Sequence, residues 1–279
     1  MRKTLWQKIR CRLGAFYCNW IESMPYRNWF NPLVTIYLNF RSFPLRQAIR
    51  LPVFVYGWPK LFALYGIMEC VGVCKMGMIK FNQSDSGAPS NPGCSMAINN
   101  WGKIIFRGAC LIRSGCKINV NFNGTLDFGN KVKVMHQCNI AAYNLVQVGD
   151  KTTIAHCCQI FDTNFHYVAN FNRSVVPRKN KTVLIGESCW ICNTSSIAAG
   201  AAIPANTIVA SNSLVNKNFL DVPPESIIGG IPAKFISSGY KGVFNKKLEL
   251  RIWEYFSSNP DSETYALEPD FTHSDFDYE

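Results

Sequence analysis

The segment "VLIGESCWICNTSSIAAGAAIPANTIVASNSLV", Val183 to Val215, sets Ile185, Ile191, Ile197, Ile203, Val209 and Val215 six residues apart. Each is preceded two places earlier by a small or slender residue: Val183, Cys189, Ser195, Ala201, Thr207 and Ser213. A helix would repeat every ~3.6 residues and a strand every ~2. A six-residue period with inward positions at i and i−2 fits a chain that makes a short strand, turns a corner and repeats. Three such strands close a triangular coil. Stacked coils pair in parallel and bury the aliphatic column, so the fold class is an all-β solenoid.

The same period runs backwards through Val148, Ile154 and Ile160, preceded by Val146, Thr152 and Cys158. Another coil holds Phe128, Val134 and Ile140, preceded by Leu126, Val132 and Cys138, and a further one runs from Ile104/Phe106 through Cys110/Ile112 to Cys116/Ile118. Short insertions after Ile118 and Ile140 and a long one after Ile160 fall at one corner of the triangle, so the loops gather on one edge. In this register Cys110, Cys116, Cys138, Cys158 and Cys189 fill the small inward slot. The "CWIC" of Cys189 to Cys192 therefore reads as packing, ahead of a redox or zinc pair.

Outside the repeat, the chain divides into four parts. Residues 1–50 form a basic, aromatic extension with helical or irregular character. Residues 51–100 hold strands that lead into the solenoid and a Gly/Pro/Ser-rich loop, Asn82 to Ser95. The solenoid domain covers 101–237, with a protruding loop at 161–182. Residues 238–279 hold a short helix over 241–256, with Val243, Leu248, Leu250, Ile252, Trp253 and Phe256 as its apolar positions, and an acidic tail.

A formal charge of +11 favours anionic partners. Up to Lys60 the cations crowd the start, opposed by Glu22 alone, while beyond Glu254 the tail carries acids and no lysine or arginine. No recognition motif accompanies the cations, which argues against nucleic acid. Twelve cysteines in a chain whose start lacks a secretory h-region read as reduced thiols of a cytoplasmic protein. The apolar stretch Leu51 to Met78 is interrupted by Lys60, Glu69 and Lys75, too early for a membrane span. The aromatic, basic start suits either peripheral contact with the inner membrane face or packing on protein.

The long insertion "FDTNFHYVANFNRSVVPRKNKT", Phe161 to Thr182, carries His166 among Phe161, Phe165, Tyr167 and Phe171. That aromatic density argues for an ordered, packed loop, and long loops in compact repeats are commonly functional. An imidazole is largely unprotonated at neutral pH and suited to take a proton from an attacking group. Asp162 and Asn164 are candidates to orient it.

The repeat, the His-bearing excursion, "VLIGESCWICNTSSIAAGAAI" and the closing "VPPESIIGGIPAKFI" together resemble the hexapeptide-repeat acyltransferases. That superfamily of left-handed parallel β-helices includes maltose, galactoside and surface-polysaccharide O-acetyltransferases. The resemblance covers roughly residues 100 to 237, and it supplies the left-handed sense, which a six-residue period leaves open. It implies acetyl-CoA as acyl donor, no metal, a homotrimer with sites between neighbouring solenoids, and His166 as general base. Trp190 and Asn193 match the segment beside the pantetheine arm, Ala210, Asn216 and Lys217 later contacts, and Lys234 in "GIPAK" a basic residue near the nucleotide phosphates. The chain departs from the usual small residue after the aliphatic position at Cys192, Pro204 and Asn216.

The function so implied is transfer of acetyl from acetyl-CoA to a hydroxyl of a sugar or glycan precursor. Three alternatives stand beside it: N-acetylation of an amino sugar, a non-catalytic β-helix scaffold, and a zinc enzyme like the γ-carbonic anhydrases. The last draws on His136 and His156, which share one register position in adjacent coils.

Overall fold

The computed structural model describes residues 13–14, 29–84, 95–267 and 271–276. The basic N-terminal arm, the centre of the Asn82–Ser95 loop and parts of the acidic tail lie outside the described residues.

The chain winds around a three-sided prism. Its coils run Val53–Val55 (β1), Lys60–Leu64 (β2), Ile67–Cys70 (β3); Ile79–Gln83 (β4), Ala97–Asn100 (β5), Lys103–Phe106 (β6); and Cys110–Arg113 (β7), Lys117–Val120 (β8), Thr125–Phe128 (β9). They continue through Val132–Val134 (β10), Asn139–Ala142 (β11), Leu145–Val148 (β12), then Thr153–Ile154 (β13), Gln159–Phe161 (β14), Val183–Ile185 (β15). Trp190–Ile191 (β16), Ser196–Ile197 (β17), Ala202–Ile203 (β18), Ile208–Val209 (β19) and Leu214–Val215 (β20) complete the winding. Every third strand joins the same sheet, so β1, β4, β7 and their successors form the first sheet, the β2 series the second and the β3 series the third. All of these pairings are parallel and equivalent residues stack, as in Val134 on Ile154 on Ile191 on Val209.

Eight corners turn through a non-glycine residue with positive φ, three places after the inward apolar one: Lys131, Gln137, Lys151, Cys157, Ser188, Thr194, Asn206 and Asn212, at 53–61°. A left-handed L-residue costs about 1–2 kcal/mol. Stacking offsets the cost, because from Gln137 onward each of these residues donates its N–H to a carbonyl of the corner one coil earlier, as in Ser188 to Asp150 (2.7 Å) and Thr194 to His156 (3.1 Å).

The inward slot at i−2 is buried as the register predicts, and it does more than fit. Its thiols and hydroxyls donate to the corner carbonyl of the next coil: Cys116 to Met135 (2.9 Å), Cys138 to Ala155 (2.9 Å), Cys158 to Cys192 (3.2 Å) and Ser195 to Ala210 (3.0 Å). Cys, Ser and Thr there thus satisfy carbonyls that alanine would leave without that donor.

The solenoid begins at Val53, well ahead of residue 101, and residues before it form its cap. Helix α1 (Pro32–Ser42) starts on Asn31, whose side chain accepts from Val34 N–H (3.1 Å). Asn39 from α1 accepts from Val53 N–H (3.1 Å) and donates to Val53 carbonyl (2.8 Å), while Thr35 Oγ1 accepts from Val55 N–H (3.0 Å). Gln47, on helix α2 (Leu45–Ala48), does the same for the N–H and carbonyl of Cys70 (2.7 and 2.8 Å). These side chains therefore replace the strand that β1 and β3 lack on their open edge.

At the other end Ser226–Gly230 (β21) joins the first sheet, and Ala233–Ser238 (β22) folds back on it antiparallel. Helix α3 covers Lys246–Ser258, starting five residues later than the apolar spacing suggests because Asn245 caps it through Lys247 and Leu248 N–H. Of its apolar positions Leu248 is buried, whereas Leu250 and Trp253 stand exposed. Among the described residues no helix is long and apolar enough to cross a membrane.

Candidate functional site

The excursion between β14 and β15 leaves the edge where the second and third sheets meet. Asp162 is fully buried at its root, and its two carboxylate oxygens accept the backbone N–H groups of Tyr143 (2.7 Å) and Asn144 (2.6 Å) in the preceding coil. Burial pushes its carboxyl above the usual carboxylate range, against the opposing pull of those N–H groups. The returning leg is tied in beside it: Lys181 N–H donates to Asp162 carbonyl (2.8 Å), and Thr163 Oγ1 donates to Asn180 Oδ1 (2.7 Å). Farther out, Asn170 and Val175 exchange backbone bonds of 2.8 and 3.2 Å.

His166 follows a tight turn. Phe165 has φ 60°, and His166 N–H closes on Asn164 carbonyl at 2.6 Å across it. A bulky aromatic in that region is strained and holds only where its surroundings over-determine it. Here the Phe165 ring meets Tyr143 edge-on (5.6 Å, 83°) and Phe161 edge-on (5.5 Å, 76°). Its N–H donates to Thr163 Oγ1 (3.0 Å), and its carbonyl accepts from Lys179 Nζ (3.2 Å), which also lies 4.8 Å from the centre of the Tyr167 ring. The backbone is thus set from four sides while the histidine itself is exposed.

Both Asp162 oxygens fasten the loop to the coil below. Asn164 is exposed and serves the turn through its backbone, with its N–H on Lys179 carbonyl (3.1 Å). Sequence reasoning passed over Tyr143, Thr163 and Asn180. Tyr143 was findable, since it sits at the same corner as the loop, one coil earlier.

The other expected residues are distributed around the prism. Asn216 and Lys217 share the edge of the loop, and Lys217 Nζ lies 5.0 Å from the Phe219 ring. Asn193 and Ala210 lie at the edge between the first and second sheets, where Asn193 Oδ1 accepts from Ser211 (2.8 Å). Trp190 points from the outer face of the first sheet, edge-on to Phe244 (5.8 Å, 71°). Lys234 is exposed on β22, paired with Gly229 of β21. On one chain these groups occupy different edges.

The cysteines of CWIC are free. Cys189 is buried, its thiol donating to Pro204 carbonyl (3.1 Å) and pushed up to about 12 by burial; Cys192 is half-buried and pushed up to about 11 for the same reason. His136 and His156 occupy successive corners of one edge, and among the described residues no three metal-ligating side chains come together. A cavity of about 490 Å³ lies on the outer face of the first sheet, floored by Met78, Leu111 and Phe244 and rimmed by Lys80, Lys131 and Lys133. It faces away from the edge that carries His166.

No family model matches the chain. Among curated proteins it is similar to the putative lipopolysaccharide biosynthesis O-acetyl transferase WbbJ of Escherichia coli (strain K12), 27% identical over 165 residues that cover 56% of this chain and 79% of that protein. Among solved structures it is similar to the polySia-specific acetyltransferase NeuO, with a TM-score of 0.45 and 18% identity over 75% of this chain and 99% of that one. A hexapeptide-repeat-containing acetyltransferase of Vibrio cholerae, VCA0836, solved with acetyl coenzyme A, has a TM-score of 0.37 and 24% identity over 43% of this chain and 64% of that one.

Proposed function

We propose that this chain is a hexapeptide-repeat acyltransferase, with the left-handed winding of that superfamily, and that it transfers acetyl from acetyl-CoA to a sugar hydroxyl of a surface-glycan precursor, with His166 as general base. The observation that carries this reading is the clamped turn at Phe165. It holds the backbone of one exposed imidazole on an arm that leaves the edge of the solenoid.

The chemistry asks little more of the chain. A sugar hydroxyl has a pKa far above neutrality, so its attack on the thioester carbonyl needs a base to take the proton as the C–O bond forms, which contributes roughly 10²- to 10⁴-fold. His166 takes that proton. When the tetrahedral intermediate collapses and the C–S bond breaks, the imidazolium returns it to the departing thiolate. Asp162, Thr163 and Tyr143 act as positioning residues, because they fix the root and the turn. A homotrimer, with Trp190, Asn193, Ala210 and Lys234 of one subunit and His166, Asn216 and Lys217 of the next around one donor, agrees with their placement on different edges. The acyl donor's phosphates suit Lys217 and Lys234 by charge.

The test is an acceptor screen with acetyl-CoA, read as thiol release and acetylated product. Wild-type protein is expected to turn over a sugar or glycan, and His166→Ala to lose about 10²-fold or more. Wild-type turnover by His166→Ala on the same acceptor would overturn the assignment.

A further inference from the structure

The edge that carries the loop is unlike the other two. Its corners bear an aromatic residue in four successive coils: Tyr65 between β2 and β3, Trp101 between β5 and β6, Phe122 between β8 and β9, and Tyr143 between β11 and β12. Among the described residues no other edge repeats an aromatic from coil to coil. Tyr65 and Trp101 lie 4.5 Å apart between ring centres, Trp101 and Phe122 4.8 Å, and Tyr143 meets Phe165, the neighbour of His166, at 5.6 Å. Tyr65 and Phe122 are each 68% exposed. Trp101 and Tyr143 are half-buried between and beyond them, and a row of exposed aromatic residues along one edge ordinarily has a partner.

The strip is also fixed in place by polar groups. Trp101 Nε1–H donates to Asn99 Oδ1 (2.9 Å), Asn99 donates to Asn119 (3.1 Å), and Asn119 donates to the Tyr143 hydroxyl (3.4 Å). A row of aromatic corners with the carboxamides of Asn99 and Asn119 beside it matches the two surfaces of a pyranose. Its C–H face is weakly positive and stacks on the negative face of a ring, and its hydroxyls pair with amides that both donate and accept. Coils rise about 4.8 Å each, close to the length of one sugar ring. The Arg41 guanidinium, 5.7 Å from the centre of the Tyr65 ring, adds a cation at the end remote from His166.

We propose that this edge is a track for an extended glycan, which lies along Tyr65, Trp101, Phe122 and Tyr143 and presents one hydroxyl at His166. The proposal deepens the acyl-transfer reading and rests on it. A chain in this track has its reacting residue beside the loop and earlier residues on the rings, so acceptors gain with length. Arg41 favours an anionic substituent at the far end.

The test uses the full chain on an immobilised array of neutral and carboxylated bacterial-surface oligosaccharides of graded length, with light scattering for oligomeric state. Wild-type binding is expected to rise with length. Phe122→Ser and Tyr65→Ser, both at exposed corners, should each weaken binding of the long members by about tenfold or more, as for loss of an aromatic anchor. Val73→Ser, an exposed apolar change at another edge, should leave it unaltered. The track is overturned if both aromatic variants bind like wild type, or if they change the oligomeric state, which would make the edge an interface between copies. It is also overturned if wild-type protein binds no array member yet acetylates small sugars. Length-dependent binding without thiol release on any acceptor would sink the acyl-transfer reading and leave the track standing.

Discussion

Removing the Asp162 carboxylate tests how the histidine arm is held. In Asp162→Ala, the N–H groups of Tyr143 and Asn144 lose acceptors at 2.7 and 2.6 Å. Hydrogen bonds to a charged group contribute roughly 1.5–3 kcal/mol each. Burial works the other way, since the raised carboxyl pKa reports a cost of keeping the charge inside. The balance is a loss of about 2–4 kcal/mol, with Asp162→Asn losing roughly half because its amide presents one acceptor and one mismatched donor. Urea unfolding at neutral pH, extrapolated linearly, measures the change. Trypsin supplies a local readout, because Arg173, Arg178, Lys179 and Lys181 all lie on the loop. Faster cleavage there is expected in Asp162→Ala. A stability change within about 0.5 kcal/mol, with wild-type cleavage of the loop, would refute the view that Asp162 fastens it.

A methyl group at Gly149 would press on the backbone of Gly186 and Glu187 in the next coil. Backbone cannot rotate away, so Gly149→Ala should cost about 2–4 kcal/mol, read as a lower midpoint in denaturant. Burial keeps the thiols of Cys189 and Cys192 protonated at neutral pH. Ellman's reagent should therefore label them far more slowly in folded than in unfolded protein, and rapid labelling of Cys189 would return CWIC to redox chemistry. The Lys133 ammonium is pushed down to about 8 by burial and by the neighbouring Lys246, Arg113 and Lys131. The folded state then binds fewer protons than the unfolded chain between about 8 and the ordinary lysine value of 10.5. Stability from this group should rise with pH across that window, and Lys133→Met should flatten the rise in a pH series of unfolding curves.

Much of the solenoid is legible because its information is local. Each coil buries the same positions, so Ile185, Ile191 and Ile197 announce the register without knowledge of what lies above or below. The gathering of insertions on one edge follows from counting, and so does the packed state of Cys189. The coils before Ile104 are fainter, since their corners are longer: β3 and β4 are separated by Val71–Met78, and β4 and β5 by a loop.

What the period determined by itself was the triangular winding, the inward column and the edge from which the histidine arm leaves. Contacts between coils belonged to the tertiary structure. Asp162 reaches the N–H groups of Tyr143 and Asn144, nearly a full coil earlier. Asn39 and Gln47 stand in for a missing strand, and Trp101 aligns with Tyr65 and Phe122 although more than twenty residues separate each pair in the chain. The physical reason is distance along the chain. A hydrophobic repeat specifies which way each side chain faces, whereas the neighbour it meets depends on how long every intervening corner is.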